Sequence, residues 1–385
     1  MAGGKQPRVL IDATAVPADR GGVGRYVDYL ITSLDDLGAN FAVVCQRSDH
    51  ERFGRMAPTA SVIAGPASIS HRPARLSWEQ TGLPIVAEKV GADVIHSPHY
   101  TMPLRGDRPV VVTLHDVTFF TDPDVHSSVK GVFFRSATRT ALTRATRIVV
   151  PSQATRTELR RLLEADVDRM DVIPHGVDTN TFHPPTQMER DVIRQRLGLP
   201  EEPGYIAFLG TLEPRKNVPA LIEAWVRVAA DREDPPALVI AGSSGWDEEV
   251  DRAMANVPSH LRILRPGYLH FADLPAYLGG ALFVAYPSRG EGFGLPVLEA
   301  MACGAPVMTT SLLSLPEVGG DAVYYTGIDA DSLADGLATL LDNAELRATL
   351  GEKGIARAKE FTWDSSARLH LETYERAYQT ASAAV

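Results

Sequence analysis

The residues best suited to chemistry lie in three short stretches. Arg215 and Lys216 sit in T-L-E-P-R-K-N, directly after the apolar run 205–210. Two cations at the carboxyl end of a strand, beside a helix opening at Val218, are what a diphosphate needs: charge-assisted donors and unpaired helix N–H groups aimed at one anion. Glu291 and Glu299 stand with seven residues between them in Y-P-S-R-G-E-G-F-G-L-P-V-L-E-A-M-A-C-G. Here an apolar run, 281–286, leads into a loop holding Gly290, Gly292 and Gly294. Pro296 takes the first helical position and Gly304 closes the helix. A strand, a glycine loop and a helix start make an anion site, where a carboxylate is electrostatically odd. It fits a ligand that carries hydroxyls as well as phosphates, as a nucleotide sugar does. His115 ends the run 109–115 and precedes Asp116. Ligands of open α/β sheets sit at such strand ends.

Each feature has a plainer explanation when taken singly. Arg215 and Lys216 are also what a solvated surface looks like, the glycines also shape ordinary turns, and a lone histidine is more often structural. Only six of the 38 basic residues are Lys, which sets Lys216 apart. His96 and His99, in H-S-P-H, end the strand before that of His115. Their spacing leaves metal binding open, but one ligand contact and two loop residues are the simpler account.

The elements that position these residues alternate along the whole chain. Strands are predicted over 8–12, 41–46, 93–96, 109–115 and 147–151 in the first half, and over 205–210, 237–242, 262–267, 281–286 and 305–310 in the second. Helices follow most of them. The loop at Gly21, Gly22 and Gly24 opens one with Tyr26, Val27, Leu30, Ile31 and Leu34 on one face. Its G-G-x-G spacing is not the dinucleotide fingerprint, and no acidic residue ends the next strand, so NAD binding is disfavoured. Ser152 suits an N-cap. A helix over 130–147 carries Arg135, Arg139 and Arg144, fitting either a sheet cover with solvated arginines or a face for an anionic membrane. The pattern divides into a first domain, 1–184, a Pro- and charge-rich linker, 185–203, a second domain, 204–362, and a last helix, 363–385.

At 385 residues the chain suits two domains. No apolar run is long enough for a membrane span, and residues 1–11 lack a signal-peptide core, so a cytoplasmic location, with the inner face of the cell membrane as one option, is expected. Cys45 and Cys303 suit buried thiols. Residues 1–184 hold 21 Lys+Arg against 20 Asp+Glu, and residues 185–385 hold 17 against 28, so the net charge of −10 lies in the second half. Nucleic acid is excluded as a partner on that balance. A phosphorylated ligand would be held there by a few local donors against the overall field.

The E-G-F-G-L-P string, the second Glu eight positions on and the preceding P-S resemble the E-x7-E element of retaining glycosyltransferases of family 4. V-I-P-H-G-V-D at 172–178, the R-K-N string and the G-G-x-G loop are similar to the same family. The resemblance spans essentially the whole chain. It implies the GT-B fold: α/β, with two Rossmann-like parallel-sheet domains facing a cleft, and the last helix crossing back to the first domain. It assigns Gly21, Gly22 and Gly24 to the donor diphosphate and acceptor, and His115 to the transferred sugar. Gly210, Arg215 and Lys216 fall to the diphosphate, and Tyr268 and Leu269 to the base. Glu291, Gly292, Phe293, Gly294 and Leu295 fall to the sugar and phosphates, and Glu299 to the ribose. Many members carry an Arg directly after the strand's glycine, where this chain has Thr211, leaving Arg215 as the candidate for that role.

The subgroup most similar in motif is the mannosyltransferase-like enzymes of bacterial polysaccharide assembly. That implies GDP-mannose as donor, a glycan or lipid-linked glycan as acceptor, and no cofactor. The triplets Asp122-Pro-Asp124 and Asp329-Ala-Asp331 are chance-level metal signals, the second suiting a helix N-cap, and Arg215 with Lys216 can replace a metal's charge. Rival readings are a UDP-sugar donor, a nucleotide-sugar isomerase, a non-catalytic nucleotide-sugar-binding subunit and an NAD-dependent oxidoreductase.

Overall fold

Short runs of Val, Ile, Leu and Ala are buried on both faces, the pattern of a parallel sheet covered by helices, and they form two sheets in the computed structural model of the protein. It describes residues 6–16, 20–121, 128–199 and 202–383; Asp19, Asp122 and Asp124 lie outside them. The chain divides into two units. One comprises residues 1–176 and 362–385, the other residues 177–361.

The first unit holds β1 (Val9–Asp12), β2 (Phe41–Cys45), β3 (Ser61–Ala64), β4 (Val94–Ser97), β5 (Val110–Thr113), β6 (Arg147–Val150) and β7 (Met170–Val172). Their order is β3-β2-β1-β4-β5-β6-β7, every pair parallel. The strands step outward in opposite directions from the β1–β4 pair, which is the point where ligands bind in doubly wound sheets. The Gly22–Asp36 helix buries Tyr26, Val27, Leu30, Ile31 and Leu34, the stripe that the 3.6-residue period predicts.

The C-terminal helix, Trp363–Ser382, belongs to this unit. Thr362 caps it by accepting from the Ser365 N–H at 3.1 Å. Asp171 at β7 ties it down, accepting from Thr373 and Arg376 at 3.0 Å each and from Arg147 at 2.6 Å. Gly176 makes the close approach: a Cβ there would lie 2.2 Å from the Trp363 nitrogen.

The second unit holds β8 (Tyr205–Leu209), β9 (Ala237–Ala241), β10 (Ile263–Gly267), β11 (Phe283–Tyr286), β12 (Val307–Thr310) and β13 (Tyr324–Thr326). Their order is β10-β9-β8-β11-β12-β13, again all parallel. The switch point falls between β8 and β11. The loops leaving those two strands carry Arg215, Lys216 and Glu291.

Residues 185–203 are not merely a connector. They contain the Gln187–Leu197 helix, grouped with the second unit, and that unit begins at Val177. The physical reason is local. Thr186 and Glu189 form a reciprocal capping box, Ile193 is buried, and Gly198 ends the helix in a left-handed conformation. Proline and charge content masked a complete set of helix start and stop signals. The 130–147 helix runs Ser128–Arg144. Arg135 donates to the Phe119 carbonyl at 3.1 Å, and the Arg139 guanidinium lies 5.2 Å from the Phe120 ring centre. Asp329 caps the Ala330–Asp342 helix, accepting from the Ser332 N–H at 2.8 Å. Cys45 and Cys303 are buried free thiols.

Four histidines of the first unit, His96, His115, His175 and His370, are buried. Burial pushes each imidazole below its ordinary value of 6.5, His370 down to about 4. They are neutral in the fold and protonated in the unfolded chain below about pH 6.5. Their stabilisation is therefore full above that pH and is lost as the pH falls toward the folded values. Buried Asp12, Asp28 and Glu79, whose carboxyls burial raises, act in the opposite sense. For His370 the expected slope between pH 6.5 and 5 is up to about 1.4 kcal/mol per pH unit, and the other three add in the same direction. His370→Gln is expected to flatten it by about one such increment. Urea unfolding at several pH values measures this, and an unchanged slope in the variant would show that His370 is not held neutral.

Candidate active site

Two loops meet at the switch point of the second sheet. After β8 the chain makes one turn of 3-10 helix, Pro214–Lys216, and Asn217 then takes a left-handed conformation (φ 60°) to start the Val218–Ala229 helix. The Asn217 side chain holds that turn. Its amide donates to the Ile328 carbonyl at 2.7 Å and accepts from Arg289 at 3.0 Å. After β11 the loop 287–294 leads into the Leu295–Ala302 helix, with Pro296 at its second residue and Gly294 at φ 105° as N-cap. A side chain at Gly294 would be strained in that conformation and would place its Cβ 3.0 Å from Leu315. The Arg289 N–H donates to the Arg215 carbonyl at 2.7 Å, stitching the loops together.

Glu291 is the centre of the cluster. One carboxylate oxygen, Oε1, accepts from Lys216 Nζ at 2.5 Å, the Ser288 hydroxyl at 2.7 Å and the Tyr286 hydroxyl at 2.8 Å. The other, Oε2, accepts from Arg215 at 2.6 Å. Arg215 also reaches Glu213 at 2.8 Å and the Gly290 carbonyl at 3.1 Å. Lys216 Nζ lies 2.5 Å from the Tyr286 hydroxyl. Lys216 and Glu291 are both buried, at 5% and 8% exposure, so little solvent screens the pair.

The protonation states follow from these contacts. Burial alone would raise the Glu291 carboxyl, but Arg215, Lys216 and the hydrogen bonds from Lys216 and Ser288 overcome it. They hold the group well below the usual carboxylate range. Burial, reinforced by the Arg215 charge, lowers the Lys216 ammonium from its ordinary value, while Glu291 and Glu213 oppose that fall. Burial drives Tyr286 well above the ordinary phenol value, so it stays a neutral donor.

Of the residues singled out from sequence, the structure brings Gly210, Arg215, Lys216, Glu291, Gly292, Phe293, Gly294 and Leu295 to the two loops at this switch point. Glu299 follows in the helix and is buried. Tyr268 is exposed and Leu269 buried, directly after β10. Gly21 is the N-cap of the Gly22–Asp36 helix, with Gly24 buried in its first turn. His115 belongs to the first unit, just past β5. Its Nε2 lies 2.7 Å from the Pro98 carbonyl. A carbonyl only accepts, so Nε2 carries the proton and Nδ1 is the acceptor of the neutral ring. Ring contacts with Tyr26, His99, Tyr100 and His175 surround it. His96 and His99 do not form a metal set with it: His96 is bonded to Thr113 and Tyr374.

Sequence reasoning missed three members of the cluster. Tyr286 was only the end of a strand, Ser288 part of a motif string, and Asn217 the last letter of R-K-N. The available signal was position, since polar side chains at the carboxyl end of a buried strand face the switch point.

Glu291→Gln keeps the shape and removes the counter-charge of two cations. Breaking a buried pair in this way is expected to cost about 3–5 kcal/mol. Ser288→Ala, which removes one of several donors, is expected to cost about 1 kcal/mol. Urea denaturation at pH 7 compares them, and equal losses would mean that Glu291 is not the counter-ion of Arg215 and Lys216.

Residues 20–181 match the family described as Glycosyltransferase Family 4, and residues 189–357 match Glycosyl transferases group 1. An O-antigen chain mannosyltransferase B from Escherichia coli is 31% identical over 284 residues, 73% of this chain and 74% of that protein. A D-inositol 3-phosphate glycosyltransferase from Corynebacterium glutamicum is 30% identical over 384 residues, 91% and 90% of the two chains. Among solved structures, a sucrose-phosphate synthase from Thermosynechococcus elongatus aligns over 98% of this chain and all of that one. Its TM-score is 0.76 at 20% identity. With two doubly wound parallel sheets and matches that run through both units, the chain belongs to glycosyltransferase family 4 and has the GT-B fold.

Proposed function

We propose that the protein transfers a hexose, mannose from GDP-mannose, to a hydroxyl of a glycan or lipid-linked glycan, with retention at the anomeric carbon. The observation that carries this reading is the pair Arg215 and Lys216, fixed by a buried carboxylate at the switch point of the second sheet. The similarity to an O-antigen mannosyltransferase supports mannose.

Negative charge grows on the leaving diphosphate as the glycosyl bond breaks. Cations already in place stabilise that charge more than they stabilise the ground state, which lowers the barrier. Arg215 and Lys216 supply the cations, with the amino end of the Leu295–Ala302 helix and its Gly292–Leu295 approach. Because they supply the charge that a metal would, the reaction needs none. Both oxygens of Glu291 are engaged by four side chains, two of them cationic, which makes it a poor nucleophile. Its role is to fix Arg215 and Lys216, with sugar hydroxyls meeting the backbone around it. That favours attack from the same face as departure, with the leaving phosphate accepting the acceptor's proton. Glu299 holds the ribose and the Tyr268–Leu269 segment the base. Neutral His115 accepts from a sugar hydroxyl through Nδ1. Arg135 is held by the Phe119 carbonyl and Arg139 lies against the Phe120 ring, while Arg139 and Arg144 are exposed, so peripheral contact with an anionic membrane through that helix is part of the same reading.

Nucleotide release and thermal shift with a panel of GDP-, UDP- and ADP-sugars test the donor. Release and a shift with GDP-mannose alone are expected, and preference for a UDP-sugar would overturn the mannose reading. Lys216→Ala is expected to lower the rate by about 10²–10³, the scale for losing one preorganised donor. A loss below about threefold would place the diphosphate elsewhere. Activity abolished by chelator and restored by magnesium or manganese would overturn metal independence.

A further inference from the structure

Tyr26 stands edge-on to His115, with ring centres 5.0 Å apart at 78°. Its hydroxyl lies 2.9 Å from Thr113 Oγ1 and 2.8 Å from His370 Nε2. Thr113 closes β5, two residues before His115, while His370 lies on the C-terminal helix. The bonds continue beyond Thr113. Its Oγ1 is 2.9 Å from His96 Nε2, and His96 Nδ1 is 2.8 Å from the Tyr374 hydroxyl, on the same C-terminal helix. All five side chains are fully buried.

One carbonyl sets the order of every proton in this chain. His370 Nδ1 lies 2.7 Å from the Ser366 carbonyl, which can only accept, so Nδ1 carries the proton and Nε2 the lone pair. Tyr26 must then donate to His370 Nε2. Having spent its proton, the Tyr26 oxygen accepts from Thr113, and Thr113 in turn accepts from His96 Nε2–H. That leaves His96 Nδ1 as an acceptor, satisfied by Tyr374. Burial keeps both histidines neutral, as this order requires. No hydroxyl in the chain can turn round without leaving two donors or two acceptors face to face.

We propose that Tyr26 is a positioning residue for His115, locked by the C-terminal helix through this one-way hydrogen-bond chain. The inference rests on the assignment of His115 to the transferred sugar. A single hydroxyl fixes both the ring that braces the His115 imidazole and the strand end that carries it. The C-terminal helix thereby acts on the reaction without contributing a group that touches substrate.

Two variants and two readouts test this. Tyr26→Phe keeps the ring and removes the hydroxyl. Nucleotide release from GDP-mannose is expected to fall on the order of tenfold in kcat, less than the 10²-fold of a 1 Å misplacement. KM should stay within about twofold. Tyr374→Phe breaks the same chain at its far end but leaves both bonds of Tyr26. It should lower the melting temperature while keeping kcat within about twofold. Equal kcat losses in the two variants, or none in Tyr26→Phe, would overturn the proposal. The second readout needs no substrate. Ring ¹⁵N NMR of the wild type is expected to show His370 protonated at Nδ1, and His96 and His115 at Nε2. His115 signals should move in Tyr26→Phe and hold still in Tyr374→Phe. A wild-type His370 protonated at Nε2 would overturn the chain, and unmoved His115 signals in Tyr26→Phe would overturn the positioning role, whether or not GDP-mannose is turned over.

Discussion

Two cations cannot be buried side by side without a counter-charge, and the second unit is arranged around the one that Glu291 supplies. Arg215 and Lys216 come from one strand end and Glu291 from the neighbouring one, so the ion pairs also hold the two loops in register. Desolvation in such a place costs several kcal/mol per ion, and attraction offsets it only where every remaining lone pair and proton is satisfied. That explains the supporting cast. Ser288 and Tyr286 complete the coordination of Glu291, Glu213 occupies a further face of Arg215, and Asn217 holds the turn that presents both cations. Two cations face two carboxylates here, Glu291 and the Glu213 that pairs with Arg215, so the cluster carries no net charge and its cations are fixed in place. In an acidic half-chain, these fixed cations beside the amino end of the Leu295–Ala302 helix are the place we propose for the diphosphate.

Sheet topology decides why these residues meet at all. They are separated by about 75 positions in sequence and belong to different βα units. In a sheet of order β10-β9-β8-β11-β12-β13, the outward winding leaves the loops after β8 and β11 diverging from one another, which opens a crevice at their carboxyl ends. The same logic holds for β1 and β4 in the first sheet, where the glycine loop before the Gly22–Asp36 helix follows β1. Positive φ at Asn217 and Gly294 then turns each loop sharply enough to start a helix at the crevice.

Much of this was legible in the sequence because the signals are local. Apolar runs bounded by glycine and proline mark β8 and β11, Pro296 marks a helix start, and the last helix is bounded by Thr362 and its periodic apolar face. The site residues that could be named were those of unusual type for their surroundings: a lysine in a chain that prefers arginine, and carboxylates beside an anion site. What escaped was of two kinds. The Gln187–Leu197 helix was hidden by the polar composition of a segment whose Thr186, Glu189 and Gly198 nonetheless carried its caps. The role of Glu291 was hidden because it depends on partners distant in sequence. No spacing rule shows that both its oxygens are taken up by Lys216, Arg215, Ser288 and Tyr286, and so a residue that seems free to grip a ligand proves to hold other residues in place.

The first unit solves a different problem with the same economy of means. Its C-terminal helix must be fixed against a sheet whose interior strands β4 and β5 carry polar side chains, His96 and Thr113. An apolar helix face would leave His96 Nδ1 and the Tyr26 hydroxyl short of a partner, at about 1–3 kcal/mol each. His370 and Tyr374 supply those partners, and the line from the Ser366 carbonyl to the Tyr374 hydroxyl pairs a donor with an acceptor at each step. Such a chain tolerates no register shift of the helix, because moving it by one residue would misalign every donor and acceptor together. The polar line therefore specifies where the helix sits, and the apolar residues around it supply most of the driving force for its burial.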